Sequence, residues 1–208
     1  MSFYKFARAI VLSVFRVVFR VRVVGKDRVP KTGAYIVAPS HRSILDIPFA
    51  AFITPRAVRF LAKDDLFEHP VAARFFDALG AVKVERGTAD RAALRALEDA
   101  IAAGAPVAIF PEGTRRSGPE VGELFAGAAF LAIKLGVPIV PVGIGGSEHI
   151  LPKGKIFPRI HRVAVSVGEP IMPPILEGRA RRRAAGVLTE QLHAELQRCF
   201  DDANRLAR

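Results

Sequence analysis

Apolar residues in this chain fall into short continuous runs that alternate with stretches where they recur every three or four positions. The runs at 19–24, 34–38, 58–62, 81–85, 106–110, 138–144 and 162–167 read as strands. Between them, 44–53, 70–79, 88–103 and 126–135 carry helical spacing, with Leu94, Leu97 and Ile101 sharing one face. Gly80, Gly104 and Gly136 stand where three of these helices would stop. Leu188, Leu192, Leu196, Cys199, Ala203 and Leu206 then lay out the apolar stripe of a carboxy-terminal helix. Strands alternating with helices predict an α/β fold: a single domain with a largely parallel central sheet flanked by helices. No internal repeat or low-complexity linker divides the 208 residues, so one core is expected.

The first 18 residues carry a different pattern. On a helix, Phe3, Phe6, Ile10, Val14 and Val17 fall near one side, whereas Lys5, Arg8 and Arg16 lie elsewhere. Only seven uncharged residues, Ala9 to Phe15, precede Arg16, and a membrane span needs roughly 20. No small-residue cleavage site follows, which argues against a signal peptide. An interfacial amphipathic helix over 1–18 is therefore expected, ahead of a main domain over 19–208. Phe3, Phe6, Ile10 and Val14 would meet the acyl boundary, and Lys5 and Arg8 the anionic headgroups. The same pattern also fits a helix packed on its own domain.

Composition sharpens the choice of partners. Half the residues are hydrophobic, yet 31 Lys+Arg against 20 Asp+Glu give a net charge of +11. An oily, basic chain points to an anionic membrane surface or to phosphorylated ligands. With no Trp, two Tyr and no basic run interleaved with aromatics, nucleic acid is not expected as a partner. Cys199 is the single cysteine and cannot form an internal disulfide, and no Cys/His cluster has metal spacing. A reducing, intracellular setting follows, with no metal and no bound cofactor.

Two motifs carry the candidate chemistry. Ser40-His41-Arg42-Ser43-Ile44-Leu45-Asp46 offers a general base and a carboxylate to orient it, provided His41 sits in a strand-to-helix loop and Asp46 in the first helical turns. A loop-capping histidine beside a first-turn aspartate fits the same spacing. Phe110-Pro111-Glu112-Gly113-Thr114-Arg115 offers close backbone approach at Gly113 and a guanidinium for phosphate at Arg115. Glu112 could accept from an acceptor's hydroxyls or fix a cation, and a charged turn with an internal Glu–Arg pair is the alternative. Both motifs follow apolar runs and precede helical patterns, which would bring them to one rim of a parallel sheet. Together they suggest acyl transfer to a phosphate-bearing alcohol. No Gly-x-Ser-x-Gly elbow is present, and Cys199 falls on an apolar stripe, so direct attack by the acceptor's hydroxyl is the simpler route.

His41-x4-Asp46 followed by Phe110 to Arg115 resembles the signature of the bacterial PlsC-type 1-acylglycerol-3-phosphate acyltransferases, within the lysophospholipid acyltransferase family. Lys63 through Arg86-Gly87 is similar to a second family block, and Val137-Pro138-Ile139-Val140-Pro141-Val142 to a fourth, so the resemblance runs from about Val23 to Pro170. It implies an acyltransferase domain over 19–208, with His41 as base and Asp46 as its partner. Arg86, Glu112, Gly113, Thr114 and Arg115 would bind the acceptor and its phosphate, with Lys63 and Pro138 as additional substrate contacts. The implied reaction moves a fatty acyl group from acyl-CoA or acyl-acyl carrier protein to the sn-2 hydroxyl of lysophosphatidic acid, without a covalent acyl-enzyme. The implied location is the cytoplasmic face of the cell membrane, with monotopic or peripheral attachment. Ser40 departs from the Asn often found there, and Leu124-Phe125-Ala126-Gly127 lacks a basic residue common at that point. The second departure keeps other acceptors open: glycerol-3-phosphate, another lysophospholipid or a non-phosphate lipid. A non-catalytic basic protein of the membrane surface is the alternative of another class.

Three further features are read as structural or electrostatic. Gly143-Ile144-Gly145-Gly146-Ser147 lacks Walker spacing and reads as a strand-ending turn. Lys153 and Lys155 could meet lipid or an acyl-donor phosphate, and a plain solvated loop fits them equally well. Arg179, Arg181, Arg182 and Arg183 read as a solvated face, with headgroups or an acidic carrier protein as the alternative.

Overall fold

The computed structural model describes residues 3–63, 68–70, 73–74, 80–84, 89–151, 158–176 and 180–208. Helix α1 (Phe3–Val18) leads into β1 (Arg22–Val24), β2 (Ile36–Pro39) and the short α2 (Asp46–Ala50), which loosens into a 3-10 turn at Ala51–Ile53. Strands β3 (Arg59–Lys63) and β4 (Ala81–Val84) follow, then α3 (Ala89–Ala102), β5 (Val107–Ala108) and α4 (Gly127–Leu135). The chain ends with β6 (Ile139–Gly145), α5 (Ser147–Ile150), β7 (Ala164–Val167) and the long α6 (Ala180–Ala207).

All seven apolar runs become strands of one sheet, in the order β1-β7-β6-β2-β5-β3-β4. Five of them, from β6 to β4, run parallel; β7 is antiparallel to β6, and β1 pairs parallel with β7. Strand β2 lies between β6 and β5 with all four residues buried, which is why its sequence is continuously apolar rather than alternating. Its period of two divides the core. Val37 joins Phe15, Phe19, Phe49, Phe52, Val140 and Val142 beneath α1 and α2. Ile36 and Ala38 join Leu97, Ile101, Leu131, Leu192, Leu196 and Phe200 beneath α3, α4 and α6.

The expected helix over 44–53 starts two residues later, because the side chain of Asp46 receives the amides of the preceding loop. Pro48 is tolerated there, since an amide in the first turn has no partner within the helix. Of the expected helix over 70–79, most lies outside the described residues, as do Lys153, Lys155 and Arg179.

The Gly143–Ser147 stretch corrects the turn reading in part. Gly143 and Gly145 are strand residues, on the face of β6 covered by α6. A Cβ on Gly143 would stand 2.1 Å from the backbone of Cys199, and one on Gly145 2.4 Å from that of Ala203. The two glycines let a helix lie directly on a strand backbone, and Gly146 alone makes the turn.

Helix α1 packs on its own domain along one side and leaves apolar residues exposed on the other. Leu12 and Phe15 pack on the core, the ring of Phe15 lying 5.5 Å from that of Phe49. Ile10, Val14 and Val17 point away from the domain, Val17 with 77% of its surface exposed. Arg8 does not belong with the exposed cations: its guanidinium donates to the carbonyls of Ala51 and Thr54, each at 2.6 Å, and fixes α1 to the domain. The side chains of Phe3, Lys5 and Phe6 lie outside the described residues. No helix among the described residues is long and apolar enough to cross a membrane.

Candidate active site

Strands β2 and β5 are adjacent and parallel, with Val37 opposite Ala108. Their carboxyl ends therefore deliver the 40–46 loop and the 110–116 turn to the same rim, although 71 residues separate His41 from Glu112. Ser40 anchors the first loop. Its amide donates to Val142 O and its hydroxyl accepts from the amide of Ile144, tying the end of β2 to β6.

The side chain of Asp46 is fully buried in the first turn of α2. Its Oδ2 lies 3.2 Å from His41 Nδ1 and accepts from the amides of Arg42 at 2.5 Å and Ser43 at 2.7 Å. Those two amides hold the carboxylate in place independently of the imidazole. The ring of His41 is 17% exposed and packs against Phe110, with centroids 4.2 Å apart. With Nδ1 directed at Asp46, Nε2 is the nitrogen left for proton transfer.

The second motif is built differently from expectation. Glu112 points inward: its carboxylate is completely buried and its contacts are internal. Oε1 accepts from the amide of His41 at 2.9 Å, Oε2 from the amide of Gly122 at 3.0 Å, and both from Arg42 Nη1. The cation it fixes is thus Arg42, a residue the sequence reading did not single out. Gly113 follows at φ +65°, where a side chain is strained, and a Cβ there would stand 2.7 Å from the ring of Phe125. Thr114 and Arg115 are exposed and have no hydrogen-bond or ion-pair partner among the described residues. The amide of Arg116 closes the turn onto His41 O at 2.9 Å.

Two further expected residues separate. Lys63 ends β3 at the same rim, since Phe60, Ala108 and Val37 are in register and Lys63 lies three positions beyond Phe60; its side chain lies outside the described residues. Pro138 is not brought to the site. It precedes β6, four residues before the Val142 that receives Ser40, or roughly 13 Å down the sheet at 3.3 Å per residue. Arg86 lies outside the described residues.

Among the described residues, the two serines beside His41 are not free for covalent attack. Ser40 and Ser43 are buried and engaged, the latter accepting from the amide of Leu45. Cys199 is buried on α6, and that burial pushes its thiol up to about 11. Beside Phe110, a narrow apolar cavity is lined by Ile47, Ala50, Ala51, Val58, Phe60 and Ala108. The site therefore combines an oriented imidazole with an exposed guanidinium on a tight turn.

A profile described as Acyltransferase matches residues 20–145. The chain is 32% identical over 141 residues to a 1-acyl-sn-glycerol-3-phosphate acyltransferase of Chlamydomonas reinhardtii, covering 66% of this chain and 42% of that relative. The chain thus spans about two fifths of that relative's length. It is 24% identical over 190 residues to the 1-acyl-sn-glycerol-3-phosphate acyltransferase of Bacillus subtilis, covering 89% and 91% of the two chains. Its fold superimposes on the crystal structure of PlsC, the 1-acyl-sn-glycerophosphate acyltransferase of Thermotoga maritima, with a TM-score of 0.68 and 28% identity over 93% of this chain and 83% of the other.

Proposed function

This chain belongs to the acyltransferase family, and from that premise we propose that it transfers a fatty acyl group from a thioester to the sn-2 hydroxyl of lysophosphatidic acid, forming phosphatidic acid. The observation that carries the proposal is the His41–Asp46 contact, on a loop tied through Glu112 to the turn bearing Arg115. His41 Nε2 takes the proton of the hydroxyl as its oxygen attacks the thioester carbonyl. The carbon–sulfur bond then breaks, and the departing thiolate takes that proton from the imidazolium. Asp46 stabilises the imidazolium and holds the tautomer whose Nε2 is free. General-base assistance of this kind contributes roughly 10²–10⁴-fold.

Arg115, with Thr114 beside it, holds the acceptor's phosphate, and Arg86 is proposed to join them. Two amphiphiles held at one rim gain proximity, which lowers a barrier by up to about 7–11 kcal/mol in favourable cases. The acyl donor is acyl-CoA or acyl-acyl carrier protein, and no acyl-enzyme forms. The exposed stripe of Ile10, Val14 and Val17 supports peripheral attachment through α1, at the cytoplasmic face of the membrane.

One observation favours a second acceptor. Phe125, exposed and lying against Gly113, stands in the segment where a basic residue was expected. An aromatic there suits a lysolipid whose headgroup is less anionic. Thiol release from acyl-CoA by the purified protein, across lysophosphatidic acid, glycerol-3-phosphate, lysophosphatidylcholine and monoacylglycerol, separates the readings. Lysophosphatidic acid is expected to give the highest kcat/KM, and a higher value with any other acceptor overturns that assignment.

A further inference from the structure

Arg42 occupies the centre of the site without facing it. Its side chain is 1% exposed, so it touches neither donor nor acceptor. Nη1 donates to both oxygens of Glu112, at 3.0 and 2.9 Å, and to His41 O at 3.1 Å. Nη2 donates to Glu120 O at 2.8 Å, and the guanidinium lies over the ring of Phe200 on α6, 4.4 Å from its centroid. The amide of the same residue donates to Asp46 Oδ2. One residue therefore contacts the histidine loop, the turn of the second motif, the 119–122 segment and the last helix.

A buried ion pair adds little net stability over an apolar pair of similar volume, because desolvation offsets the attraction. What a guanidinium adds is direction: its rigid planar fork of donors holds several acceptors at fixed angles, whereas an ammonium's donors rotate freely and a thioether has none. The acceptors fixed here lie on the two loops whose relative placement the chemistry needs. Glu112 completes the tie by receiving the amide of His41, and the amide of Arg116 returns a bond to His41 O.

We infer that Arg42, through Glu112, is a positioning residue that sets the separation between the base at His41 and the phosphate-binding guanidinium at Arg115. The inference rests on the roles proposed above for those two residues. An acceptor gripped by its phosphate then presents its hydroxyl to Nε2, so that the phosphate grip assists the chemical step as well as binding. A shift of about 1 Å between the loops would cost roughly 100-fold in rate.

The test uses the full chain with Arg42→Met and Glu112→Gln combined, which leaves no buried charge unpaired, alongside Arg42→Lys and His41→Ala. Melting temperature, kcat with lysophosphatidic acid, and the ratio of kcat/KM for lysophosphatidic acid over monoacylglycerol are measured for each. The double variant is expected to melt close to the parent, lose about 100-fold in kcat and lose at least about tenfold of its preference for the phosphorylated acceptor. Arg42→Lys, which keeps the charge but not the fork, is expected to fall between the two. A double variant with parental kcat and parental preference overturns the inference, because a stability role alone leaves both unchanged. If the double variant does not fold, Arg42→Lys decides: a folded protein with kcat within twofold of the parent overturns the inference, and a tenfold loss supports it. Parental turnover by His41→Ala would instead overturn the general-base reading, and this inference with it.

Discussion

Asp46 Oδ2 sits 3.2 Å from His41 Nδ1 while also receiving the amides of Arg42 and Ser43. The carboxylate is thus held by backbone donors that do not titrate, and the imidazole is oriented against a fixed point. Asp46→Asn keeps an oxygen where the two amides and Nδ1 converge, but removes the negative charge that would stabilise the imidazolium. The variant is expected to fold, with circular dichroism like the parent's, and to lose about 100-fold in kcat. Loss of less than tenfold in thiol release would remove Asp46 from the mechanism.

Gly113 adopts φ +65° with the ring of Phe125 against it. Gly113→Ala is expected to cost about 1–2 kcal/mol in denaturant unfolding, from the left-handed backbone alone. Phe125 is exposed and can swing aside, so adding Phe125→Ala should recover little of that loss. Full recovery in the double variant would assign the cost to the ring.

Helix α1 divides its work by face. Val14→Asp with Val17→Asp is expected to abolish co-sedimentation with phosphatidylglycerol vesicles without changing the melting temperature, since both side chains point away from the core. Arg8→Ala is expected to do the reverse: it removes the donor to Ala51 O and Thr54 O, costs about 1–3 kcal/mol and leaves vesicle binding in place. Measuring both properties for both variants checks the division, and the opposite pattern would contradict it.

Much of this arrangement is legible along the chain because burial writes itself into runs of apolar residues. Each of the seven strands is such a run, and the covered face of α6 is marked by Leu188, Leu192 and Leu196 at helical spacing. The histidine and its aspartate are close in sequence and meet where one loop enters α2. What the sequence hides is pairing over distance. Arg42 and Glu112 are 70 residues apart, and an isolated charged residue reads as belonging to solvent or ligand until its partner is seen. Pro138 lies in an apolar block similar to one of the family, but the register of β6 sets it at the far end of the sheet. Arg8 looked like a headgroup cation because nothing in the pattern reveals that the carbonyls of residues 51 and 54 lie under it.

Burial of Cys199 makes stability depend on alkaline pH. Its thiol is raised from 9.0 to about 11 in the fold, so the neutral form is the one the fold favours. The contribution is complete below the unfolded value and is lost as pH rises toward 11. Relative to Cys199→Ala, the parent is expected to lose about 2 kcal/mol of its advantage between pH 8 and pH 10.5, read by denaturant unfolding of both proteins. A constant difference would show that burial does not raise the thiol above its unfolded value.

The central claim is that His41 Nε2 takes the proton of an acceptor hydroxyl. Phosphatidic acid formed from acyl-CoA and lysophosphatidic acid on vesicles, quantified by mass spectrometry for the parent and a folded His41→Ala variant, tests it most directly. The parent should form one phosphatidic acid per thiol released, and the variant should be slower by at least about 100-fold. Phosphatidic acid forming at the parental rate in the variant would contradict the account.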